Sequence, residues 1–141
     1  MTNREMADGY LTQAGEILVE ARGALKRGVW NLVVRRCQEV VELALKAALR
    51  LTGVEVPRVH DVGVILRDHS MKFPEPFREE IDRMASISRR LRREREASFY
   101  GDDETGAPPQ RLYTKDDAQR AFQDAAFVLE RCRQLAQGAQ R

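Results

Sequence analysis

Five arginines fall within seven residues in the run Arg89-Arg90-Leu91-Arg92-Arg93-Glu94-Arg95, and Glu96-Ala97-Ser98-Phe99-Tyr100 follows directly. Guanidinium groups are planar, forked and permanently charged. Several of them on one helix end offer paired donors to phosphate or carboxylate, where lysines would offer point charges. The rings of Phe99 and Tyr100 could stack on a base, an interaction worth ~1–3 kcal/mol per base. Arg89, Arg92, Arg93, Arg95 and Tyr100 are therefore the candidate residues for binding phosphate or a nucleotide. The competing reading is a solvated helix end, with Arg90–Glu94 and Arg92–Glu96 at the i,i+4 spacing that neutralises charge locally. In that reading Tyr100 covers the edge of the core and leaves its hydroxyl in water.

Other chemistry is sparse. There is no glycine-rich phosphate loop, no CxxC and no His-Glu-x-x-His, and the only histidines are His60 and His69, which read as caps or surface residues. No metal site and no cofactor is expected. The pair Asp102-Asp103 falls in a breaker-rich loop, and Asp116-Asp117 falls at a helix start, where the dipole favours carboxylates. Cys37 and Cys132 each sit among apolar residues and read as small buried side chains, not as a zinc site or a disulfide.

At 141 residues the chain suits one domain, and 24 Lys+Arg against 22 Asp+Glu leave a net charge of +2. A basic surface must then be local, which argues against binding nucleic acid through bulk charge. Met1 to Gly9 is polar, and no stretch approaches the ~20 apolar residues of a membrane span, so a cytoplasmic protein without membrane contact is expected.

The elements that must position the arginines are helices. Ala7, Leu11, Ala14, Leu18, Ala21 and Leu25 repeat at 4,3 spacing, and Lys26-Arg27-Gly28 supplies a C-terminal stop. From Trp30 to Leu51 two apolar stripes flank a narrow polar row of Arg35, Glu39, Glu42, Lys46 and Arg50, the pattern of a central helix; Gly53 and Pro57 follow it. A short third helix is expected from a cap at His60 or Asp61 to about Asp68. The fourth is expected over about Glu75 to Ala97, with Pro74 and Pro76 in its first turn and Phe77, Ile81, Met84, Ile87 and Leu91 as its apolar stripe. The next position on that stripe is Arg95, so this helix outruns its core. Phe99 to Tyr113 reads as an acidic loop, and Thr114 to Asp117 as a capping box opening a last helix with Ala118, Ala121, Phe122, Ala125, Leu129, Cys132 and Ala136 on one face. Nothing alternates with the period of a strand. The expected fold is all-α, an up-and-down four-helix bundle with a short additional helix, in one domain over residues 1–141.

The ordered set of features resembles a known family. Arg36 to Leu49 followed by Gly53, Pro57 and His60-Asp61, then the arginine-rich helix end leading to Tyr100, a proline-containing loop, Tyr113-Thr114 and an alanine-rich helix with Asp117-Ala118, is similar to the HEPN domains (higher eukaryotes and prokaryotes nucleotide-binding). The likeness runs from about Tyr10 to Leu135. It implies a helical bundle that dimerises and is often encoded beside a minimal nucleotidyltransferase, in toxin–antitoxin or defence systems. In many members an Arg and a His a few residues apart cleave RNA without a metal across the dimer interface, and one toxin branch carries Arg-x4-His-x-Tyr. Here Arg93 to Tyr100 is similar, with Ser98 where that histidine would stand, and no histidine follows His69. Serine without a neighbouring base is a poor substitute for imidazole at neutral pH. Binding is therefore expected over cleavage, by a homodimer whose interface uses the apolar stripes of the first two helices. A ribonuclease with Arg93, Ser98 and Tyr100 as catalytic candidates is the alternative. A purely protein-interacting bundle, with the arginines meeting a partner's carboxylates or the chain's own Asp102-Asp103-Glu104, is the other.

Overall fold

The computed structural model describes residues 2–56, 58 and 61–139, and among them the regular structure is helical apart from one isolated bridge between Asp102 and Ala107. Four long elements form an up-and-down bundle: α1 (Asn3–Arg27), α2 (Trp30–Leu51), α4 (Ile81–Arg93) and α6 (Lys115–Ala139). Two short helices, α3 (Val62–Asp68) and α5 (Ala97–Tyr100), flank α4. The direction of each helix follows from its end contacts. Arg50 near the end of α2 donates to Asn3 at the start of α1, Arg4 donates to the Ala136 carbonyl near the end of α6, and Asn31 at the start of α2 donates to the Ser98 carbonyl beyond α4.

Local sequence sets the boundaries. Thr2 caps α1 by accepting from the Glu5 N–H, and Gly28 closes it with φ 75°, a left-handed geometry that glycine adopts without strain. The stripe Ala7, Leu11, Ala14 and Ala21 is buried, with Leu18 and Leu25 packed at its edge. Asp61 caps α3 through the Gly63 N–H; His60 and Pro57 lie outside the described residues. His69 places its Nδ1 3.0 Å from the Ile65 carbonyl at the end of α3. In α6 Thr114 and Asp117 exchange side-chain and backbone hydrogen bonds at 3.2 and 2.9 Å, the expected capping box. No helix among the described residues is long and apolar enough to cross a membrane.

The fourth expected helix needs correction. It does not run unbroken from Glu75 to Ala97: Arg78–Glu80 form a 3₁₀ turn, α4 begins at Ile81 and ends at Arg93, and a turn over Glu94 to Glu96 leads into α5. Proline supplies no N–H and disfavours helix at the residue before it, so two prolines spaced by one residue delay the start. At the other end the apolar stripe stops at Leu91, and no further burial sustains the helix. The expected loop from Phe99 to Tyr113 also contains the bridge and a 3₁₀ turn at Pro109–Arg111.

Burial accounts for most of the apolar surface of α2. Val33, Val34, Cys37, Val41, Ala44, Leu45 and Ala48 are buried, as are Val40 and Ala47 of the second stripe, while Leu32, Leu43 and Leu51 are half-buried against the core. The stripes that suggested a dimer interface are thus largely consumed within one chain. Both cysteines are free and buried, and burial pushes the Cys37 thiol up to about 12 and the Cys132 thiol higher still, so neither is a reactive thiolate at neutral pH.

Candidate functional site

The arginine-rich end is held by a polar row on α2. Asn31, Arg35, Gln38 and Glu42 recur at 4,3,4 spacing, which puts them on one face of the helix. Asn31 Nδ2 donates to the Ser98 carbonyl at 3.1 Å, and Arg35 donates to the Arg95 carbonyl at 2.5 Å. Glu42 accepts from Gln38 at 3.3 Å and from Arg95 at 3.2 Å, and pairs with Lys46 at 3.4 Å. Where the main chain leaves α4, its carbonyls lose their helical partners, and the α2 side chains supply replacements. Asn31 and Gln38 were not singled out in the sequence. The signal was two amides at helical spacing beside the charged row of α2, and both are buried.

The candidate residues are brought to one end of the bundle, but in different roles. Arg89 pairs with Asp61 at 3.6 Å, and Arg95 with Glu42. Arg90 pairs with Asp124 of α6, not with Glu94 as its spacing suggested. Arg92 and Arg93 are exposed. Arg93 pairs with no carboxylate among the described residues. Ser98 is fully buried, and its hydroxyl donates to the Arg95 carbonyl at 3.1 Å, so it fastens the turn and does not face solvent. Tyr100 is 70% exposed and meets Phe99 edge-on at 5.3 Å between ring centres, while the Arg35 guanidinium lies 4.8 Å from the Phe99 ring centre. Arginine over an aromatic face is attractive and fixes both planes.

Beyond α5 the chain reverses at Gly101, where φ is 84° and a Cβ would overlap the Ala107 carbonyl oxygen. The Asp102 carboxylate accepts from the Glu104 N–H at 3.0 Å and the Thr105 hydroxyl at 2.9 Å. It is thus committed to its own turn. Asp103 and Glu104 remain exposed, on the rim of a shallow depression that Arg93 also lines. Beside it, between α4 and α6, lies a cavity of ≈ 240 Å³ floored by Val34, Leu91 and Ala121 and walled by Arg90, Glu94, Tyr113, Asp117, Arg120 and Asp124. The Tyr113 hydroxyl is buried and faces the Glu94 carboxylate. Burial, with the neighbouring Glu94 and Asp117 carboxylates, pushes it up to about 12. No cluster of three or more His, Cys, Asp or Glu among the described residues is arranged to hold a metal ion.

The sequence profile of the HEPN domain matches residues 7–135. The chain belongs to the HEPN family. It is 30% identical over 132 residues to the candidate toxin MJ1304 of Methanocaldococcus jannaschii, covering 91% of this chain and 86% of that protein. Among solved structures, TT1696 from Thermus thermophilus superposes with a TM-score of 0.70 at 26% identity, over 91% of this chain and 96% of that one. ST0689, an archaeal HEPN homologue, gives 0.67 at 24%, over 92% and 97%, and so speaks to the fold. Within this HEPN chain, the segment that resembles Arg-x4-His-x-Tyr is the turn and α5, held on α2.

Proposed function

We propose that this HEPN protein is the RNA-engaging member of a toxin–antitoxin pair. In this reading it works as a homodimer with a minimal nucleotidyltransferase as partner, and it holds RNA or nucleotide phosphates at its arginine-rich end without cleaving them. The observation that carries the reading is that the exposed Arg92 and Arg93 close α4 and the exposed Phe99–Tyr100 ring pair follows across a single turn, with Phe99 braced by Arg35. Guanidinium groups beside exposed rings are what single-stranded nucleic acid uses, one for the backbone and the other for a base. Similarity to the candidate toxin MJ1304 supports the biological setting.

Cleavage is disfavoured by Ser98. Its hydroxyl is buried and engaged with a backbone carbonyl, and the described residues beside it include no imidazole to move a proton. The interaction-protein reading draws on one observation, the acidic depression that Arg93 shares with Asp103 and Glu104. Fluorescence anisotropy with a labelled single-stranded RNA, run beside a gel assay for cleavage, separates the readings. Binding without metal-independent cleavage is expected. Cleavage lost in Arg93→Ala would replace the reading with a ribonuclease, and no binding by folded protein would leave the interaction bundle.

A further inference from the structure

The cavity between α4 and α6 opens beside the arginine end and shares Glu94, Leu112 and Tyr113 with the depression that Arg93 lines. We propose that it is a nucleobase pocket that selects guanine. The inference rests on the phosphate-binding reading of the arginine end, because that surface would hold the backbone of the nucleotide whose base enters here.

Size sets the class of ligand. At ≈ 240 Å³ the cavity is below the ~300–1,000 Å³ of sites for drug-sized molecules, so it accepts one ring system and not a whole nucleotide. Its floor is apolar, as a ring face requires, and its wall is polar, as a ring edge requires. Charge excludes phosphate from the interior: three carboxylates, Glu94, Asp117 and Asp124, stand against two guanidiniums, and Arg90 is already committed to Asp124.

The edge chemistry then chooses among bases. Asp124 is held by Arg90, and one Asp117 oxygen accepts the Thr114 N–H. Glu94 pairs with neither guanidinium of the wall, Arg90 or Arg120; it faces the Tyr113 hydroxyl, and its remaining lone pairs are open to the cavity. An ionised carboxylate only accepts hydrogen bonds. Guanine presents two adjacent donors, N1–H and N2–H, which match the two oxygens of one carboxylate, and its O6 accepts from a hydroxyl or guanidinium. Adenine presents a lone pair at N1 to the same carboxylate, and the pyrimidines offer at most one donor beside acceptors. A site whose polar groups are left unpaired by the wrong ligand rejects it strongly.

Two measurements test this. In the first, anisotropy is recorded with labelled uridine pentanucleotides carrying G, A, C or U at the centre, on wild type, Glu94→Gln and Arg92→Ala/Arg93→Ala/Arg95→Ala. The central G is expected to bind at least tenfold tighter than A, Glu94→Gln to erase the preference, and the arginine variant to weaken all four RNAs alike. In the second, wild type is titrated by NMR with guanosine and with adenosine, which carry no phosphate. Guanosine is expected to shift resonances of Tyr113 and Ala121, and adenosine to leave them unmoved. Equal, salt-sensitive binding of all four RNAs with no guanosine response would overturn the base pocket and leave the arginine reading standing. A G preference that survives in folded Glu94→Gln would overturn it as well, and no binding of any probe would overturn both.

Discussion

The buried residues of α1 include Ala7, Ala14, Ala21 and Ala24 and those of α2 include Val33, Val40, Ala44 and Ala47, while the polar contacts between the two helices, Arg36 with Glu20 and Arg50 with Asn3, lie at exposed edges. Where α4 passes α6, the groups that meet are Arg90 with Asp124, and Arg83 3.8 Å from the ring centre of Phe127, which Arg131 also approaches at 5.2 Å. The first seam excludes water, and its worth scales with apolar area. The second adds these charged groups beside the buried apolar stripe of α4 and opens into the ≈ 240 Å³ cavity. Buried apolar area therefore concentrates in α1, α2 and α6, while the end of α4 carries exposed charge.

The contrast can be broken first at the core. Leu45→Ala, at a position with no exposed surface, should cost about 2–5 kcal/mol in urea denaturation, since the surrounding helices collapse only partly into the void. At the turn that positions Tyr100, Gly101→Ala places a side chain at positive φ against the Ala107 carbonyl, and a loss of about 1–3 kcal/mol is expected together with an altered Tyr100 environment in near-UV circular dichroism. Thr114→Ala removes one half of the capping box and should cost about 0.5–2 kcal/mol in the same denaturation series. At the α4–α6 contact Arg90→Ala should cost about 1 kcal/mol, because the arginine is 39% exposed and solvent screens the pair, although Asp124, 16% exposed, loses its cation; a loss as large as at Leu45 would erase the distinction.

Acidity sharpens the same contrast. The thiol of Cys37 and the phenol of Tyr113 are both raised to about 12 in the folded chain, above their ordinary values of 9.0 and 10.0. The unfolded chain therefore releases these protons first, so stability is intact below pH 9 and declines as pH rises from 9 towards 12. Urea midpoints measured across that range should fall, and Cys37→Ala should remove part of the slope.

Periodicity alone made the bundle legible in the amino-acid sequence. The stripes of α1, α2 and α6, the stop at Gly28 and the Thr114 capping box appear where the residue pattern put them, because each depends on residues within one or two turns. The break in α4 was less visible, since it depends on where burial runs out after Leu91. The arginine-rich helix end was legible as an exposed charged segment, but not the contacts its residues make. Arg95 meets Glu42 from 53 residues away, and Asn31 meets Ser98 from 67, pairings that no local spacing encodes. The burial of Ser98 was equally hidden, because in sequence it is a small polar residue beside the charged run and nothing local marks it as enclosed.

The central claim, that the exposed arginines of the α4 end hold phosphate, is tested most directly by the salt dependence of binding to single-stranded RNA. Each phosphate contact on a single strand contributes ~0.7 to the slope of log K against log salt. Anisotropy titrations at several salt concentrations on wild type and Arg92→Ala/Arg93→Ala/Arg95→Ala should give a slope shallower by about 2 in the variant, with its circular dichroism unchanged. Equal slopes for the two proteins would contradict the account.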